Sequence, residues 1–174
     1  AVDAMGGDFA PNEILKGAHE AAALGIPIVL VGPSDLGGVE NLPVIAASEV
    51  IEMRDDPAQS VRKKRDSTLL RAAEAVRDGH ASAMISAGNT GATMASALLR
   101  MGRIKGVHRP AIATPIPVPG GKTTVLLDAG ANADVQADWL VQFAQMGSVY
   151  ARRRYGYENP RVGLLSIGEE PGKG

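Results

Sequence analysis

Residues 86–92, SAGNTGA, set two glycines, an asparagine and two hydroxyl side chains between an apolar run and a helix-like one. Gly88 and Gly91 let a ligand approach the main chain closely, and Asn89 or Thr90 can cap the helix that follows. The first turn of that helix offers N–H groups without intrahelical partners, so the residue types in this order make an anion site. A plain strand-to-helix turn capped by asparagine uses the same residues, and one glycine-rich turn alone does not separate the two readings. Three further segments weigh on the choice. DAMGGDFAP (3–11) carries Asp3, Gly6, Gly7 and Asp8; LLDAGANAD (126–134) carries Asp128, Gly130 and Asn132; GEEPGKG (168–174) carries Lys173. Each begins where an apolar, strand-like run ends. Ligands of open α/β sheets sit beyond the carboxyl ends of strands, so all four loops are expected on one rim. The plainer reading gives Asp3 and Asp128 capping roles, makes Asn132 a turn former, and has Gly6 and Gly7 supply only a tight turn.

The elements that must position these loops follow from periodicity. AVDAM reads as a short strand lacking its start. A helix follows from Pro11, with Ile14, Ala18, Ala21 and Ala22 on one face and Gly25 as its stop. PIVLVG (27–32) and PVIAA (43–47) read as buried strands. DSTLLRAAEAVRDG (66–79) reads as a helix capped by Asp66 or Ser67, with Leu69, Leu70, Ala73 and Val76 inward. ASAMIS (81–86) is the next expected strand and TGATMASALLRMG (90–102) the next helix. AIATPIPV and TTVLLDAG are expected to form a hairpin across PGGK, a helix to run from about 137 to 155, and RVGLLSIG to form a last strand. Strands alternating with helices predict an α/β fold with a mainly parallel sheet covered on both faces, as one domain spanning 1–174. The ending EEPGKG, one loop after an apolar strand, reads as that of a fragment of a longer protein.

Composition narrows the function classes. A formal charge of −1 and an aromatic content of 3% argue against bulk nucleic-acid binding, which needs a basic excess and stacking platforms. No apolar window reaches the roughly 18–20 residues a membrane span needs, and no signal segment opens the chain, so it reads as cytoplasmic and soluble. With no cysteine there is no thiolate metal site and no thiol nucleophile, and His19, His80 and His108 lack metal-ligand spacing. No metal or cofactor is expected. GGKTT (120–124) contains a GKT, but position 116 is Ile rather than the first glycine of a phosphate-binding loop, and a strand follows; it reads as a hairpin turn. VRKKRD (61–66) places Arg62, Lys63, Lys64 and Arg65 in a row, either a solvated face or a docking patch for an acidic partner.

AVDAMGGDFAP, ISAGNTGA, GRIKGVHRPAIA, LLDAGANAD, LVQFAQMGSVYA and NPRVGLLSIGEEPGKG, in this order, resemble the PlsX family of bacterial phosphate acyltransferases, and the resemblance covers almost the whole chain. Phe9 and the Glu169-Glu170-Pro171 run depart from the usual family pattern. The resemblance implies transfer of a fatty acyl group from acyl carrier protein to inorganic phosphate, giving acyl phosphate for phospholipid synthesis. It implies a three-layer α/β/α architecture like isocitrate and isopropylmalate dehydrogenases and related to phosphotransacetylases, usually homodimeric, without an organic cofactor. The family is about twice as long, so this chain corresponds to its N-terminal half. The other half carries the helical region linked to dimerisation and membrane-surface association, which makes a peripheral membrane location a further expectation.

Under the resemblance, phosphate is itself the nucleophile, which suits a chain without cysteine; catalysis then consists of positioning and charge stabilisation. The amides of SAGNTGA with the hydroxyls of Ser86 and Thr90 would hold phosphate, and Asn89 would donate to the developing oxyanion. Lys173 and Arg109 would offset charge while Asp128 and Asn132 orient them, with Asp3 and Asp8 on the opposite wall. Residues 62–65 become the docking face for acyl carrier protein, which is acidic. A coenzyme A-dependent phosphotransacetylase and a non-catalytic anion-binding regulator are the rival readings.

Overall fold

The computed structural model describes residues 1–166, 168 and 169. The expected positions Glu170, Pro171 and Lys173 lie outside the described residues. Contacts divide the chain into two compact units, one spanning Ala1–Arg103 and the other beginning at Ile104.

The first unit is built on a parallel sheet in the order β1 (Val2–Asp3), β2 (Leu30–Gly32), β3 (Val44–Ala46). Val2 pairs with Leu30, and Leu30 with Val44. Side chains alternate across a strand, and β2 shows the consequence: Leu30 and Val31 are both fully buried, yet they join different clusters. Leu30 packs with Val2 and with Leu15 and Ala18 of α1 (Asn12–Ala23). Val31 packs with Ala47 and with Ala72 of α3 (Thr68–Arg77). Helices therefore cover both faces of this sheet, which explains why the central strand β2 is apolar and buried throughout rather than alternating. A third cluster joins Leu69 and Leu70 of α3 to Val61 of α2 (Pro57–Lys63) and Ala92 of α4 (Thr90–Arg100).

The second unit holds an antiparallel hairpin, β4 (Thr114–Ile116) with β5 (Thr124–Leu126), and the long α5 (Ala137–Tyr155), closed by Gly156 in the left-handed region. Phe143 and Ala151 are its buried helix residues. No described helix is long and apolar enough to cross a membrane.

The chain is thus α/β with a mainly parallel sheet. The helices expected from Pro11, in 66–79, in 90–102 and over 137–155 are present, and so is the hairpin. Two local expectations change, and one element is new. ASAMIS forms no strand of its own; Ile85 makes a single parallel bridge to Val2, its N–H donating to the Ala1 carbonyl and its carbonyl accepting from Asp3. Residues 161–166 of RVGLLSIG form no strand, because no described strand offers them a ladder; Val162, Leu164 and Leu165 are exposed. Residues 57–63 are helical, an element not anticipated in the sequence.

Candidate anion-binding site

Asp3 ends β1 almost fully buried, at 1% exposure. A buried carboxylate needs donors, and it has two: Met5 N–H donates to Oδ1 (3.2 Å) and the Ser86 hydroxyl to Oδ2 (2.7 Å). The Ser86 oxygen in turn accepts from Gly88 N–H at 3.0 Å. Asp3 thereby fixes the backbone of the loop 83 residues further on. Gly6 lies in the same contact: a Cβ there would sit 2.5 Å from both Asp3 Oδ2 and Ser86 Oγ. At Gly88 a Cβ would come within 3.2 Å of the Gly6 Cα. The two glycine-rich loops therefore touch main chain to main chain, a closeness that no side chain at position 6 permits. Gly7 has a φ of 107°, a conformation L side chains rarely adopt.

Asn89 is the N-cap of α4. Its Oδ1 accepts from Ala92 N–H (3.0 Å), while Nδ2 donates to the carbonyls of Met53 (2.9 Å) and Asp55 (3.1 Å). Both amide hydrogens are spent, so Asn89 has none for an oxyanion; it orients the helix instead. Gly91 is packed against Pro57, whose Cγ would lie 2.7 Å from an added Cβ. Capping takes up the Ala92 N–H, and Thr93 N–H bonds the Asn89 carbonyl. The N–H groups of Thr90 and Gly91 remain in the first turn without an intrahelical acceptor, beside the exposed Thr90 hydroxyl. Two N–H groups at the positive end of an 11-residue helix suit a small anion. Asp8 is exposed at the end of the Gly6-Gly7 loop.

In the second unit, Asp128 organises a tight turn after β5. Its Oδ1 accepts from Ile112 N–H (2.7 Å) and Ala131 N–H (3.1 Å), and its Oδ2 from Asn132 N–H (2.8 Å) and Nδ2 (2.9 Å). Burial pushes this carboxyl up; the bonds from Ile112 and Asn132 and from the Ala131 amide outweigh it and hold the carboxyl below its ordinary value. Asn132 Nδ2 also donates to the Pro110 carbonyl. These two expected orienting residues therefore orient each other and their own loops. Arg109 is exposed and stacks over Trp139 at 4.8 Å.

Of the basic run, Arg62 and Lys63 close α2 and are exposed, as is Arg65. Lys64 departs from that set. Its Nζ donates to Asp55 Oδ2 and to the Val50 carbonyl, each at 2.7 Å. The residues that sequence reading passed over are those of the Met53–Pro57 segment beneath Asn89. The signal was available: Asp56 followed by Pro57 is a cap followed by a first-turn proline, and Asp56 Oδ1 does accept from Gln59 N–H.

Comparison with known proteins adds family to this geometry. The chain matches the family described as "Fatty acid synthesis protein" over residues 1–174. It is 52% identical to the phosphate acyltransferase of Pelotomaculum thermopropionicum, 51% to that of Desulforudis audaxviator and 51% to that of Heliobacterium modesticaldum. Each match takes in all of this chain and 53%, 53% and 55% of the relative, so the chain spans about half the length of the curated relatives it matches.

Proposed function

Starting from a chain that belongs to the fatty acid synthesis protein family of phosphate acyltransferases, we propose that it serves the transfer of a fatty acyl group from acyl carrier protein to inorganic phosphate. The observation that carries the reading is the first turn of α4, whose Thr90 and Gly91 N–H groups have no intrahelical acceptor and directly follow a loop held main chain to main chain at Gly6 and Gly88. A phosphate oxygen attacks the thioester carbonyl carbon; the new C–O bond forms, the C–S bond breaks, and the carrier thiol leaves with the proton that phosphate loses. No protein nucleophile is required. The chain's part is to hold phosphate by main-chain donors, with the Thr90 hydroxyl as an added donor. Asp3, Ser86 and Asn89 keep those donors in place. A preorganised loop of this kind lowers the barrier because no reorganisation is needed as charge develops.

The same proposal covers the isocitrate-dehydrogenase-like fold, the single-domain organisation of residues 1–174, a homodimer, and a cytoplasmic protein that touches the membrane surface. Arg62, Lys63 and Arg65 form the exposed basic face for the acidic carrier, a contact that salt weakens. In the second unit, Asp128 and Asn132 shape the turn after β5, and Arg109 supplies an exposed cation. Lys173 is kept as a charge-offsetting residue.

The test is acyl phosphate formation from a long-chain acyl carrier protein and phosphate, trapped as the hydroxamate. Phosphate-dependent product supports the reading. Equal turnover with acyl-coenzyme A and no carrier moves the substrate to coenzyme A. Phosphate binding without thioester consumption leaves a binding protein.

A further inference from the structure

The Lys64–Asp55 pair accounts for a feature of the anion loop that Asn89 alone does not. For one amide nitrogen to satisfy two carbonyls, those of Met53 and Asp55 must be held at a fixed spacing. The Glu52–Asp55 turn provides it: Asp55 N–H donates to the Glu52 carbonyl (3.1 Å), and Glu52 N–H donates to Asp55 Oδ2 (3.0 Å). Asp55 Oδ2 is the oxygen that also accepts from Lys64 Nζ, and the same Nζ reaches the Val50 carbonyl. Lys64 thus ties the end of α2 to both sides of the turn. Its ammonium and the Asp55 carboxylate are each about two-thirds to three-quarters covered, with side-chain exposures of 32% and 26%. The opposite end of α2 presses Pro57 against Gly91, and Val61 packs with Ala92.

We propose that Asp55 and Lys64 are positioning residues for the first turn of α4, closing the 52–55 turn so that its carbonyls lock the Asn89 amide. The functional consequence rests on reading that first turn as the phosphate site. Within one run of four basic residues the work is then divided: Arg62, Lys63 and Arg65 face outward, and Lys64 acts through Asn89 on anion affinity.

The test uses the full chain, 15N-labelled, with Lys64→Met, Lys64→Arg, Asp55→Asn and Arg62→Gln. The readouts are hydrogen exchange at the Ala92 amide, phosphate titration followed at the Gly88–Gly91 amides, and exchange in α1 as a reference. Lys64→Met and Asp55→Asn should speed Ala92 exchange by about tenfold or more relative to α1, the loss expected when a locally closed cap opens more often. They should weaken phosphate by about three- to tenfold, with Lys64→Arg recovering most of both. Arg62→Gln should change neither. If Asp55→Asn fails to fold, the Lys64 pair decides the matter. Unchanged Ala92 exchange in Lys64→Met overturns the proposal, and so does exchange that rises equally in α1, or Lys64→Arg behaving like Lys64→Met. A wild-type chain whose Gly88–Gly91 amides do not respond to phosphate refutes the anion site, while Ala92 exchange still decides the latch.

Discussion

Gly6→Ala is the sharpest single test of how the site is assembled. The added methyl would lie 2.5 Å from Asp3 Oδ2, 2.5 Å from Ser86 Oγ and 3.0 Å from Gly88 N. None of these can yield freely. Asp3 is at a strand end with 1% exposure, Ser86 Oγ is held between Asp3 and Gly88, and Gly88 is main chain. Relief requires the Ser86 hydroxyl to leave the carboxylate, which forfeits a hydrogen bond to a charged group worth about 1.5–3 kcal/mol. Displacing the loop instead carries an overpacking cost of about 1–3 kcal/mol. The expected loss is on the order of 2–4 kcal/mol for the first unit, a fall in midpoint of about 5–15 °C for a chain of this size. Trp139 and all three tyrosines belong to the second unit, so the first must be followed by amide signals of β1, β2 and α3 rather than by fluorescence. Gly17→Ala is the internal control, since nothing lies within 4 Å of a Cβ there and the residue is inside α1; it should be neutral or slightly stabilising. Gly6→Ala within about 1 °C of wild type, with phosphate response intact, would refute the close packing of the two loops.

Asn89→Asp keeps an acceptor for Ala92 N–H but turns a carboxylate on the Met53 and Asp55 carbonyls; it should destabilise by about 2–4 kcal/mol in denaturant unfolding despite aspartate's capping ability. Asp128→Ala strands four N–H bonds and should lower the unfolding midpoint of the second unit, followed by Trp139 fluorescence, by an amount equivalent to about 2–4 kcal/mol. Asp66 accepts from the Ser48 hydroxyl, Arg71 and the Ser48 amide, which hold its carboxyl down at about 2 against an ordinary 3.8. Its folded value is depressed, so its stabilisation is complete above about pH 4 and is lost as pH falls toward 2; Asp66→Asn should flatten that limb of the acid unfolding curve. Arg62→Glu with Lys63→Glu should raise the Michaelis constant for acyl carrier protein severalfold at low salt and less at high salt, with that for phosphate unchanged.

What the sequence made legible were elements whose signals were local and complete. The helix over 137–155 carries inward residues at helical spacing and ends at a glycine that takes a φ of 68°; the hairpin has PGGK between two apolar runs. Gly25, Gly79 and Gly102 all adopt positive φ just beyond their helices, as expected of helix stops. What failed depended on partners far along the chain. ASAMIS and RVGLLSIG are both strand-like, but a strand exists only where another edge pairs with it, and Ile85 finds one bridge while 161–166 find none described. Residues 57–63 were hidden because a seven-residue helix shows too few turns for a helical period to stand out, even with Asp-Pro marking the start.

The same distinction applies to the candidate site. Residue types singled out neighbours: Gly6 lies against Gly88, Gly91 beside Asn89, and Asp3 is bonded to Ser86. Roles did not follow from types, because a polar side chain near a ligand site has two possible customers and the protein's own main chain is the nearer one. Asn89 spends both N–H bonds on carbonyls from 34 and 36 residues earlier, Ser86 donates to Asp3, and Lys64 turns to Asp55. Buried polar groups must be satisfied, and each of these is satisfied internally. Main-chain N–H groups of Thr90 and Gly91 are left as donors, and main-chain donors suit phosphate because they bring no charge that must first be desolvated. In the first unit Asn89, Ser86 and Lys64 are therefore bound into the scaffold, and the substitutions there that should injure anion binding most are those that move backbone.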